Sequence, residues 1–341
     1  MHRVFQIVFF FLSTVILYGM SIEEKVGYLF VIPVAPRLGE EHKKDVERAL
    51  QEFHIHSVIT KAISLKEQEE FLQWVGGEVL VFCDAEWGLG MRIEDAKSYP
   101  KNSILGASYS NEEIYEIGKE IGESLCAIGV DINLSPVVDV NTNKKNPIIG
   151  MRSFGVDPVL VAEKGCAMAR GLINGGVTPC GKHFPGHGNV FVDSHLALPE
   201  MEGLDLLPFQ ALIDEGIGMI MTGHLSSKML TGKEQFPSGM SKEVIEGLLR
   251  SDMGFNGVVI TDAMNMKGIA NYYSPEEAAI QYLIAGHDLL LYGDHIGPNI
   301  DEILQKLVPG VYRAILEKVK NGELNIDDKV ERIVKIKKGG A

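Results

Sequence analysis

Val177-Thr178-Pro179-Cys180-Gly181-Lys182-His183-Phe184-Pro185-Gly186-His187-Gly188 begins as a short β-prone run and ends in a lysine, two histidines and Pro-Gly turns. Val177–Gly181 reads as a strand, and the polar residues follow at its C-terminal end on a shaped loop. The same juxtaposition recurs along the chain. Candidate strands Tyr28–Val34, Glu78–Cys83, Asp131–Val140, Met219–Gly223, Gly257–Thr261 and His287–Tyr292 alternate with amphipathic stretches. These stretches include Asn111–Ile128, Pro158–Asn174, Lys242–Met253 and Pro275–Ala285. Asn111 is the candidate N-cap of the first, and Ser274, ahead of Pro275, that of the last. Such alternation gives a parallel sheet, either doubly wound or closed into a barrel. Asp84, Asp139, Lys182-His183, His224 and Asp262 decide between the two. A doubly wound sheet gathers its ligands at one switch point. Polar residues at the end of strand after strand suit a barrel whose βα loops converge on one site. The expected fold is α/β, a single-domain (β/α)8 TIM-type barrel. No internal repeat or linker marks a second domain, and Val311–Lys338 reads as closing helices with a turn near Gly322.

The 341 residues are 45% hydrophobic and 23% charged, enough to bury a substantial core. A formal net charge of −14 argues against nucleic acid or an anionic membrane surface as partner. Met1-His2-Arg3 precedes an apolar run from Val4 to Tyr18, and Gly19-Met20-Ser21 supplies small residues at its exit. That arrangement reads as a secretory signal peptide over residues 1–21, with the barrel domain over residues 22–341 and export to the periplasm or the exterior. An uncleaved N-terminal anchor is the competing reading. No cysteine follows the run, so a lipid anchor is not expected. Cys83, Cys126, Cys166 and Cys180 lie apart in apolar contexts without metal-binding spacing, and are expected to be buried free thiols.

Three further motifs bear on chemistry. Asp193-Ser194-His195 places a carboxylate and an imidazole two residues apart, so a turn can pair them and make a tunable acid/base. A loop salt bridge is the plainer reading. Gly257–Asp262 is an apolar run ending in one carboxylate, which suits either a catalytic group on a barrel strand or a helix N-cap. Asp84-Ala85-Glu86-Trp87-Gly88-Leu89-Gly90-Met91-Arg92 offers a carboxylate for sugar hydroxyls and, in Trp87, an aromatic face. Arg152 and His224 are further charged or polar candidates near strand ends. His183, His187 and His195 together raise zinc as an alternative, but their spacing is not that of a zinc helix and Lys182 would repel a cation.

Taken together, the block Lys182–Gly188 with Asp193–His195, Asn133–Val140, Arg152–Gly155 and Gly254–Asp262 resembles glycoside hydrolase family 3, in particular its short β-N-acetylhexosaminidases. The resemblance runs from about Asp84 to the final helices. It implies that Asp262 is the nucleophile of a retaining reaction, His195 the general acid/base and Asp193 its partner. It also implies that Asp84, Arg92, Arg152, Lys182 and His183 bind the terminal sugar, with His187 shaping the loop. The substrates it implies are β-linked N-acetylglucosamine saccharides or muropeptides, with no cofactor, no metal, no stable protein partner and a monomeric state. A phosphorylase, a non-catalytic sugar-binding barrel and a metal-dependent hydrolase are the competing functions. Trp87 and Leu89 replace a glycine and an arginine of the family pattern, which bears on the shape of the sugar pocket.

Overall fold

The computed structural model describes residues 19–76, 79–293 and 299–337. The apolar N-terminal run read as a signal peptide lies outside these residues, up to Tyr18. Ser21, the last residue assigned to that leader, belongs to the fold. Its hydroxyl accepts from the Glu24 N–H and the Glu24 carboxylate accepts from the Ser21 N–H, a reciprocal cap on the helix Ile22–Gly27. None of the helices among the described residues is long and apolar enough to cross a membrane.

Eight parallel strands make the barrel: β1 (Phe30–Val34), β2 (Ser57–Thr60), β3 (Leu80–Cys83), β4 (Ile132–Asn133), β5 (Thr178–Phe184), β6 (Met219–Thr222), β7 (Val258–Thr261) and β8 (Leu290–Leu291). Their order is β7-β6-β5-β4-β3-β2-β1-β8, so each strand lies beside its neighbour in sequence and β8 returns to β1. A parallel bridge between Ile260 and Leu289 closes the ring. The strands are buried almost throughout, as befits a parallel sheet with helices outside and side chains filling the interior.

Most expected elements are present, with corrections; the strand expected over His287–Tyr292, for one, narrows to Leu290–Leu291. Strand β2 was not anticipated; Ser57-Val58-Ile59-Thr60 is too short to announce itself by alternation. The expected strand Asp131–Val140 shrinks to two residues. Pro136 has no N–H to continue the ladder, and the Ser135 N–H turns back to the Asn133 carbonyl, so the following chain bridges β5 alone at Val137. The cap of the helix Asn111–Ala127 is Ser110, not Asn111, because Ser110 stands three residues before Glu113 and completes a capping box. Ser274 does cap Pro275–Ala285, with Glu277 answering. The tail forms helices Val308–Lys320 and Asp327–Lys337, separated near Gly322, whose φ of 74° suits glycine. Arg332 on the last helix and Arg250 both clamp the fully buried Asp288 ahead of β8, fixing the outer layer to the barrel. Three cysteines are buried, whereas Cys126 is exposed on its helix rather than buried.

Candidate active site

Strand ends deliver the side chains. Asp84 follows β3, Lys182 and His183 close β5, His224 lies just beyond β6, and Asp262 follows β7. A cavity of about 260 Å³ at this end of the barrel is lined by Asp84, Arg92, Arg152, Lys182, His183, His195 and Asp262. Of the residues that the family resemblance implies for the reaction and for sugar binding, all line this cavity except Asp193, which stands behind His195; His224 and Asp139, also noted at strand ends, lie outside its lining. Trp87 and Leu89 are not part of its wall. Leu89 is buried elsewhere, and Lys101 Nζ sits 5.0 Å from the Trp87 ring centroid.

One wall is a charge network. Asp84 Oδ2 accepts from Arg92 at 2.8 Å and Oδ1 from Lys182 at 3.0 Å. Glu86 takes Arg152 in a two-pronged contact of 3.0 and 2.7 Å and Lys182 at 2.9 Å. Burial would raise the Glu86 carboxyl, but the two cations overcome it and hold it down at about 2. Glu86 went unrecognised in the sequence, although it stands two residues after Asp84, the spacing that returns a side chain to the same side of an extended chain. Lys61, buried at the end of the unanticipated β2, also lines the cavity.

Asp139, noticed only as a strand-end carboxylate, organises the next segment. It is fully buried and accepts from the His183 N–H at 3.1 Å, from His183 Nδ1 at 2.7 Å and from the His187 N–H at 2.6 Å. Burial opposes its charge, yet these contacts with His183 and His187 keep its carboxyl below the usual range. The pairing orients the His183 ring with Nε2 toward the cavity side, where Arg152 Nη2 lies 3.5 Å away. Burial, aided by His183, pushes His187 down to about 4, so it is neutral and hydrogen-bonds the Ser194 hydroxyl through Nε2 at 2.8 Å. This contact anchors the loop one residue from His195.

Asp193 accepts from both the His195 N–H (2.7 Å) and His195 Nδ1 (2.8 Å). The compact turn foreseen from the spacing is therefore made. It leaves His195 Nε2 as the ring nitrogen available to a ligand. The three histidines do not converge: each has its own partner, in Asp139, Ser194 and Asp193. Among the described residues no group of three or more His, Cys, Asp or Glu is arranged to hold a metal ion.

Asp262 is not a helix cap. Its Oδ1 accepts from the neighbouring Ala263 N–H at 2.8 Å, and its own N–H donates to the Thr222 carbonyl at 2.9 Å. Burial raises its carboxyl, but the imidazoles of His183 and His224, the Ala263 N–H and His195 outweigh that and leave it below the ordinary value. An ionised carboxylate at the base of a cavity is the form a nucleophile requires. His224 supports it from beneath. Fully buried, with its basicity lowered chiefly by that burial, it bonds the Ala263 carbonyl through Nε2 at 3.0 Å and the Tyr282 hydroxyl through Nδ1 at 2.8 Å. The ring thus ties the residue after Asp262 to the helix Pro275–Ala285.

Asp262 and His195 with its partner Asp193, beside a wall of paired cations and carboxylates, gather at the strand ends of a (β/α)8 barrel, where barrels of this class carry their active sites. The chain belongs to glycoside hydrolase family 3: the model described as "Glycosyl hydrolase family 3 N terminal domain" matches residues 21–336. It is 34% identical to beta-hexosaminidase A of Pseudoalteromonas piscicida over 76% of this chain and 47% of that protein. Among solved structures, a family 3 beta-N-acetylglucosaminidase from a Paenibacillus species superposes with a TM-score of 0.84 at 31% identity, covering 94% of this chain and 63% of that one. The beta-N-acetylhexosaminidase of Beutenbergia cavernae gives a TM-score of 0.81 at 26% identity, covering 94% and 99%. The chain thus spans about half the length of the first relative and under two thirds of the first structure.

Proposed function

We propose that this protein is a retaining β-N-acetylglucosaminidase that removes terminal β-linked N-acetylglucosamine from saccharides such as peptidoglycan fragments. The observation that carries the reading is the placement of Asp262 in the same cavity as His195, whose Nδ1 is engaged by Asp193. The names of the relatives support the acetamido sugar as substrate.

In the first step the Asp262 carboxylate attacks the anomeric carbon as the glycosidic bond breaks, and protonated His195 gives its Nε2 proton to the leaving oxygen. In the second, neutral His195 takes a proton from water, the water oxygen bonds to the anomeric carbon and Asp262 leaves as carboxylate. Asp193 orients the ring in both steps and balances its positive charge. The Asp84–Arg92 and Glu86–Arg152 pairs, crosslinked by Lys182, offer carboxylate acceptors and cationic donors in fixed positions for the hydroxyls of the sugar being transferred.

Release of 4-nitrophenol from its β-N-acetylglucosaminide, measured beside the β-glucoside with and without phosphate, tests the proposal. Phosphate-independent activity confined to the acetamido sugar is expected. Sugar 1-phosphate as product would replace the reading with a phosphorylase, because a neutral base admits an incoming anion. No turnover of either substrate by folded protein would leave a sugar-binding barrel. Export rests on the N-terminal sequence, and the proposal is that secreted protein begins near Ile22; a cytoplasmic pool starting at Met1 would refute it.

A further inference from the structure

A second cavity, of about 380 Å³, lies against the loop that carries Asp193 and His195. His187, Ser194 and His195 line the first cavity, whereas Asn189 and Phe191 of the same loop line the second, opposite Thr142, Asn143, Lys144, Glu202 and Asp205. Side-chain clasps give it a defined shape. Asn143 Nδ2 donates to the Val190 carbonyl at 2.7 Å, Asn189 Nδ2 donates to the Gly203 carbonyl at 2.7 Å, and the Lys145 N–H returns to Asn143 Oδ1 at 2.9 Å.

Two features of this cavity have no use within the fold. Phe191 leaves 55% of its surface exposed, a large apolar face presented to solvent where the neighbouring Val190 is wholly buried. Asp205 is half-buried, and no donor among the described residues pairs with it; burial alone pushes its carboxyl upward. A half-buried carboxylate without a protein donor is free to accept from a ligand's hydroxyls. An aromatic face beside carboxylate acceptors and a threonine hydroxyl is the combination that holds a saccharide, with the ring against the C–H face and the acceptors taking hydroxyls. Two carboxylates against one lysine, in a chain of net charge −14, disfavour an anionic occupant.

The position suggests which part of the substrate arrives there. His195 protonates the leaving group, so the leaving group lies on the side of this loop. Phe191 is four residues from His195, at most about 14 Å along an extended chain, within reach of a short oligosaccharide. We propose that the second cavity is a leaving-group subsite that binds saccharide units on the reducing-end side of the bond being cleaved. This rests on the glycosidase reading above.

The test compares kcat/KM on 4-nitrophenyl β-N-acetylglucosaminide with that on the β-1,4-linked N-acetylglucosamine dimer and tetramer. Phe191→Ala and Asp205→Asn should each lower kcat/KM on the tetramer by about fivefold, the size of one stacking or hydrogen-bonded contact, with the aryl glycoside unchanged. Asp205→Asn matters most, because its wall does not carry the catalytic loop and the change keeps the side-chain shape. Equal losses on all three substrates, or no loss on the tetramer, would overturn the subsite. If the wild type turns over no aryl glycoside, the glycosidase reading fails by itself. Calorimetry of tetramer binding to wild type and Asp205→Asn then decides the cavity, and equal affinities overturn it.

Discussion

Replacing Glu86 by glutamine should cost stability by an amount that depends on pH. The Glu86 carboxyl is held at about 2 in the folded protein, against 4.5 for an ordinary glutamate. At about 1.36 kcal/mol per unit, that difference corresponds to about 3 kcal/mol of stability. A folded-state value below the unfolded one means that the contribution is fully present above pH 5 and is lost as pH falls toward 2. Removing the charge leaves its partners unequally placed. Lys182 retains Asp84 at 3.0 Å, whereas the Arg152 guanidinium loses its charged partner and one of its two short contacts. Arg152 is half-buried and can recruit water, and the glutamine oxygen keeps one acceptor, so the expected loss is about 2–3 kcal/mol, at or below the range for breaking a buried pair. Urea unfolding of wild type and Glu86→Gln at pH 7 reads this directly, provided the denaturant slope is unchanged. Between pH 7 and pH 4 the gap should narrow by about 1 kcal/mol as the wild-type advantage is titrated away. A loss below about 0.5 kcal/mol at pH 7, or a gap constant down to pH 4, would refute the view that this carboxylate is what makes its two cationic partners in the cavity wall tolerable.

Asp262→Ala should abolish turnover while the thermal unfolding midpoint stays close to wild type; near-normal release of 4-nitrophenol would remove Asp262 from the nucleophile role. His195→Ala should slow substrates with poor leaving groups far more than activated aryl glycosides, and equal losses would contradict an acid function. Tyr282→Phe takes away the hydroxyl that His224 Nδ1 engages and should cost about 1–3 kcal/mol in urea unfolding, the penalty of a buried polar atom left without a partner. His224→Gln, which can still donate to the Ala263 carbonyl, should retain more kcat than His224→Ala with KM unchanged in both; identical kcat values would show that the bond does not position Asp262.

The barrel was legible because its signal is local. A β-prone run followed at once by a charged or histidine-bearing turn can be read one strand at a time, and its repetition distinguishes a closed barrel from an open sheet. Asp262, His195, Asp193, Lys182, Asp84 and their companions were found in the same way, since each sits at or just beyond a strand end or in a motif. Other features could be settled only in three dimensions, because they depend on which strand lies beside which. Strand β2 is four residues long, without a sequence signature, and its place is secured by pairing with β1 and β3. Glu86 looked like one carboxylate among many until the barrel brought Arg152, 66 residues away, and Lys182 to meet it. Asp139 and His183 are likewise 44 residues apart, and His224 and Tyr282 58. Trp87, which the sequence offered as a sugar platform, was diverted by its immediate neighbourhood to Lys101. Short-range chemistry, as in the Asp193–His195 turn, follows from spacing alone. Networks that neutralise buried charge draw on several strand ends at once, so only the closed barrel determines who pairs with whom.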